Sequence, residues 1–166
     1  MTVATSTIPA AISYLVTAAK AAFPTALVLD GPMVVADSEA AADRVTIGWD
    51  GDPDAYTPAV EGDQNFNALN RGVTRDEDYR IVCSVLHWDG NSDMAAARSA
   101  AFALLATFER LMRGYPPNGT GDVTLGGAVL WAHVAGGIQA EYAADSSGTA
   151  CHVVFHVTCH ARLTGS

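Results

Sequence analysis

Apolar residues recur at helical spacing near the start of the chain: Ile8, Ile12, Leu15, Val16, Ala19 and Phe23. Thr7 in a capping position, Pro9 in the first turn and Pro24 beyond the end bound an amphipathic helix over 8–23. Residues 1–6 are small and polar and read as a flexible terminus. Two short apolar runs, 26–29 and 33–36, flank the turn-forming Asp30-Gly31-Pro32, and 45–49 reads as a strand. Over 50–72 the pattern dissolves into Asp, Gly, Pro and Asn, which predicts a long loop; in a compact domain such a loop tends to be functional or mobile.

Periodicity returns at 79–88. Tyr79, Ile81, Cys83 and Val85 fall on one face of a strand, Val82 and Leu86 on the other, and burial on both faces predicts a central position. A second helix follows over 92–113, with Ser92 as cap, Asp93 in the first turn and a stripe of Ala97, Ala101, Leu104, Leu105, Phe108, Leu111 and Met112. Its alanines permit close approach to a sheet. Beyond a Pro/Asn/Gly loop at 115–121, strands over 125–135 and 138–143 are interrupted by Gly136-Gly137, read as a bulge or bend rather than a reversal. Asp145-Ser146-Ser147-Gly148 is the hairpin turn into a long alternating strand over 149–163. The whole reads as α+β: a single domain over 1–166, with a twisted, mostly antiparallel sheet, a long C-terminal hairpin and two main flanking helices. Strands this long leave edges that so small a protein does not cover alone, which suggests a sheet built to meet copies of itself.

Composition narrows the function classes. Of 166 residues, 49% are hydrophobic and 16% charged, which excludes a mainly disordered chain. The formal charge is −9, so sequence-independent binding to phosphate backbones is disfavoured. The first residues carry no Lys or Arg, the early apolar stretch holds Ser13, Tyr14, Thr17 and Lys20, and no apolar run approaches the ~20 residues of a membrane span. These features predict a soluble protein made in a cytoplasm, without a membrane partner.

Several constellations imitate chemistry. His152, His156 and His160 share one face of the last strand, but a spacing of four separates neighbouring imidazoles by about 13 Å. Zinc needs its ligands at ~2 Å from one point, so these histidines read as solvated or interface residues. Cys151 and Cys159 point to the opposite face about 26 Å apart, beyond bridging distance, and with Cys83 read as small buried hydrophobes. Asp50, Asp52, Asp54 and Glu61 sit at calcium-loop positions, but Ala55 stands where a sharp turn wants Gly, Pro53 stiffens the loop and a strand precedes it. A solvated acidic loop is the simpler reading. Asp76-Glu77-Asp78 between Arg75 and Arg80 read as surface ion pairs. No G-x-S-x-G, Walker A or H-E-x-x-H sequence occurs, and no enzyme, metal or cofactor is predicted.

Arg75-Asp76-Glu77 ahead of a strand, Gly90-Asn91-Ser92-Asp93 opening an alanine-rich helix with Arg98, Leu125-Gly126-Gly127-Ala128-Val129-Leu130-Trp131, and the ending from Val153 to Leu163 together resemble tail terminator proteins of long-tailed, siphovirus-type phages of actinobacteria. The likeness covers a little over half the chain, with 45–50 fitting more loosely and 50–72 not at all. It rests on order and spacing rather than on one motif. It implies a virion structural protein at the tail–neck junction, assembled in the host cytoplasm. Such a subunit forms a homohexameric ring that caps the tail tube, stops its polymerisation and offers a docking surface for the head. Its partners would be itself, the major tail tube protein and the head–tail connector or neck protein, with genomic DNA passing through the lumen unbound. The alternative within virions is a neck or connector subunit or another minor tail protein. Trp88, Trp131, Tyr142, His152, His156 and Arg162, large or amphipathic residues on long strands, are the candidate subunit or partner contacts; ordinary sheet packing is the competing explanation.

Overall fold

In a computed structural model, residues 5–32, 41–66, 74–114 and 121–164 are described. The elements run α1 (Ile8–Ala22), β1 (Leu27–Asp30), β2 (Asp43–Ile47), β3 (Val60–Phe66), β4 (Thr74–Asp89), α2 (Met94–Arg110), β5 (Trp131–Val134), β6 (Gln139–Asp145) and β7 (Gly148–Thr164). This is the α+β architecture anticipated above, two helices and a seven-stranded sheet that is antiparallel except for the β1–β2 pair. No described helix is long and apolar enough to cross a membrane.

The sheet is organised by two strands of unusual length. β4 and β7, of 16 and 17 residues, pair antiparallel from Thr74↔Thr164 to Asp89↔Thr149. Along the other edge of β4 lie β2, opposite 83–87, and β3, opposite 75–81. Along the other edge of β7 lie β5, opposite 157–160, and β6, opposite 148–154. Each long strand thus carries two short collinear neighbours. Gly136, at φ +96°, makes the bend between β5 and β6, and the chain continues along the same edge without reversing.

Both helices cover one face. α1 buries Ala11, Leu15, Val16 and Ala19, and α2 buries Ala97, Ala101, Leu105 and Phe108. They meet Ile81, Cys83, Val85, Cys151, Val153, Phe155 and Val157 of the central pair in one continuous core. Phe108 and Phe155 meet edge to face at 5.1 Å. The small Ala97 and Ala101 bring α2 close to the sheet, as its sequence predicts.

Four local expectations change. The 50–72 segment is not a loop throughout: β3 occupies 60–66, while 67–73 lie outside the described residues. β3 has no apolar alternation because its residues 61–65 are exposed; pairing along one edge of β4 is what makes it a strand. The strand expected over 125–135 shrinks to β5, because Leu125, Gly126 and Gly127 adopt positive φ in turns hydrogen-bonded to the Asp122 carboxylate. Ser92 has φ +57°, so Asp93 caps α2 instead, accepting from Ala95 N and Ala96 N. Thr5 and Ser6, read as part of a loose terminus, are tied down: Thr5 O accepts from Gln64 and Arg75, and Ser6 Oγ accepts from Ile8 N. The apolar run at 33–36 and residues 1–4 lie outside the described residues.

Candidate assembly surface

The face away from the helices is covered by a loop rather than by a helix. β2 ends at the Ile47↔Cys83 pair and β3 begins at Val60↔Ile81, leaving Val82 between them. Gly48 N donates to Val82 O at 2.8 Å, and Val82 N donates to Ala59 O at 3.1 Å. Both ends of the 48–59 loop are therefore held by one residue, and the segment between folds over the sheet as a closed-neck loop. Thr46 Oγ1 donates to Trp49 O at 2.8 Å and shares a 2.6 Å hydrogen bond with Ser84 Oγ. Trp49, Asp50 and Gly51 are buried beneath the loop. A Cβ on Gly51 would lie 2.7 Å from His152 Nε2 and 2.9 Å from Ser84 Oγ, so only glycine permits this contact.

The calcium-loop positions do not converge. Asp50 Oδ1 accepts from Asp52 N, and Asp52 Oδ1 accepts from Asp54 N, two successive Asx turns that spend the carboxylates on the loop's own backbone. Glu61 lies on β3, paired with Arg80 at 3.2 Å. Among the described residues no three His, Cys, Asp or Glu side chains are grouped to hold a metal ion.

The structure does bring His152 and His156 together with Asp50, Asp52, Gln139 and Glu141, around a cleft of about 310 Å³ between the loop and β6. His152 Nε2 and His156 Nδ1 are buried and have no hydrogen-bond partner among the described residues. Burial lowers the His152 pKa, Arg44 adds to the shift, and Glu141 and Asp50 oppose it. The three free cysteines are buried, two of them on the helix side of β7.

Elsewhere on this face, ion pairs cross the central strands. Asp76 accepts from Arg162 Nε at 2.6 Å and from Nη2 at 3.2 Å, and the guanidinium holds its carboxyl below the ordinary range. Asp78 meets His160 at 2.6 Å, and Trp131 stacks on the His160 ring at 5.4 Å. Arg162 and Trp131 are thus engaged within the subunit, and Trp88 is half-buried near Gly148. The carboxylates at 76 and 78 form the surface pairs that their sequence suggests, although with β7 rather than with neighbouring arginines. Glu77 departs from that reading: it points to the helix side and is 2% exposed.

The β5–β6 edge is different in kind. β6 is exposed at all seven positions. Leu130 and Ile138 are each 51% exposed, Tyr142 is 50% and Trp131 37%, and all lie on or beside this edge. The sequence singled out Trp131 and Tyr142. Leu130, Ile138 and the fully exposed Tyr56 escaped notice because each sits in a segment read as a strand interior or a featureless loop. No protein-family profile matches the chain, and no curated protein matches it.

Proposed function

We propose that this chain is a virion structural protein, a ring-forming tail terminator that caps a phage tail tube, stops its polymerisation and presents a docking surface to the head. The observation that carries the reading is the β5–β6 edge. Alternate residues of β6 present their backbone donors and acceptors along an outer edge that no described strand pairs, with four large apolar side chains exposed on or beside it. Monomeric proteins usually blunt such an edge with charge, proline or a covering element. Here Glu141 and Asp145 are the only charges on a strand that otherwise carries Ala140, Tyr142, Ala143 and Ala144, with no proline, and pairing with another chain is the simplest way to satisfy the edge.

A ring needs two different patches per subunit, and the sheet has a second, unlike edge at β1 and β3. Six copies at −9 carry a formal charge of about −54, which favours passage of DNA without adhesion. Purified protein added to polymerising tail tubes should halt growth at one end and remain there. Tubes that elongate unchanged, with the protein bound instead to connector rings, would assign it to the neck.

A further inference from the structure

The tip of the 48–59 loop carries the most exposed large side chain among the described residues, Tyr56. Every residue from Asp52 to Ala59 is exposed, yet the segment is braced. Its neck closes on Val82, its two Asx turns follow one another, and Trp49 Nε1 donates to Asp52 O at 3.2 Å. Pro53 and Pro58 restrict the backbone on either side. Tyrosine has few rotatable bonds to immobilise on burial, and one carried on a braced loop is suited to anchor a protein interface. Asp52 and Asp54 give the tip negative charge.

A surface of complementary character lies on the helix side of the same chain. Tyr14, Ala18 and Ala22 of α1 face Thr107 and Arg110 of α2, with Leu111, across a groove of about 380 Å³. Ala18, Ala22 and Leu111 supply its apolar lining, and its size falls within the ~300–1,000 Å³ of pockets that bury a small group. Arg110 Nη2 donates to Thr107 Oγ1 at 2.8 Å, and no described carboxylate pairs with it, whereas the nearby Arg113 is paired with Glu109. Asp122 lies near Tyr14, but its carboxylate is taken up by Thr124 N, Thr124 Oγ1 and Gly126 N.

We infer that the Tyr56 tip of one copy seats in the α1–α2 groove of the next, with Asp54 set against Arg110. The inference rests on the ring-forming reading and supplies one of its contacts. The occupant is a second copy because tip and groove are complementary to each other and neither is complementary to itself. That is the condition for a head-to-tail interface, which closes into a ring when the rotation per subunit permits. Chains that each carry −9 repel one another, so a local meeting of acidic tip and unpaired arginine offsets that repulsion where they touch.

The test compares the self-association of wild type, Tyr56→Ala, Arg110→Glu and the double variant Asp54→Lys/Arg110→Glu, by light scattering over a concentration series. Circular dichroism checks that each is folded; all three altered side chains are exposed, so folding should persist. Each single substitution should weaken association about tenfold or more, and the charge-swapped pair should recover most of it. An oligomeric wild type with Tyr56→Ala unchanged would overturn this contact and leave the ring reading standing. Loss in the single variants without recovery in the double variant would overturn Arg110 as the partner of the tip. A wild type monomeric at every concentration would overturn the contact and the ring reading together.

Discussion

Glu77 Oε2 accepts hydrogen bonds from both Thr7 N at 2.8 Å and Thr7 Oγ1 at 2.7 Å, so a strand residue caps a helix seventy positions away. Thr7 makes no side-chain cap of its own. The other carboxylate oxygen, Oε1, accepts from Gln64 Nε2 at 2.7 Å, and Thr7 Oγ1 also meets Tyr79 Oη at 3.0 Å. One buried carboxylate thereby joins the start of α1, β3 and β4. The acidic end also lies where the helix dipole favours it.

Replacing Glu77 by Ala should cost about 1–3 kcal/mol, because Thr7 N and Gln64 Nε2 lose their acceptor. Glu77→Gln should cost less. Urea denaturation followed by circular dichroism reads the difference, and an unchanged midpoint for Glu77→Ala would count against the cap.

Acid should weaken the same junction. Burial pushes the Glu77 carboxyl up, but hydrogen bonds from Ser6, Thr7 and Gln64 outweigh it and hold the group below its ordinary value of 4.5. A depressed folded pKa contributes stability that is present above the unfolded value and lost as pH falls through the folded one. The urea midpoint should therefore drop below about pH 4.5, with a shallower slope in Glu77→Gln.

A second acid-sensitive step lies at the loop. The His152 pKa is lowered by burial and by Arg44, so its contribution is complete above the ordinary value of 6.5 and declines as pH falls through the folded value. His152→Gln should flatten the stability profile between about pH 7.5 and 5. Gly51→Ala should cost about 1–3 kcal/mol, since a Cβ would meet His152 and Ser84 at a backbone φ of +92°. Trp49, buried beneath that loop, supplies a fluorescence readout.

The central architecture is legible in the sequence because its signals are physical and local. Double-sided apolarity marks β4, alternation marks β7, and the alanine stripe marks α2. β3 is hidden because an edge strand exposed over 61–65 carries no hydrophobic period. The closed neck of the 48–59 loop depends on where β2 and β3 stop along β4, and nothing in its own residues reveals that. Glu77 is hidden by its company: between Asp76 and Asp78 it reads as one more surface acid, and only the strand's alternation turns it inward. Of the proposed contact residues, Trp131 and Tyr142 are visible as large side chains on strands. Tyr56 gains meaning only once its loop is seen to be braced.

The thiols give an independent check on the core. Burial pushes Cys83 and Cys151 up, and Cys159 up to about 12. A thiol reagent at pH 8 should leave the native protein unmodified and react with all three cysteines after denaturation. Rapid reaction of one cysteine in the native state would place it outside the core.

If the open β5–β6 edge serves assembly, the mass of the native particle at micromolar concentration reports it. A closed oligomer is expected, six copies for a tail terminator, with ring-shaped images under negative stain. A particle of single-chain mass across the whole concentration range, with β6 amides exchanging freely with solvent, would rule that role out.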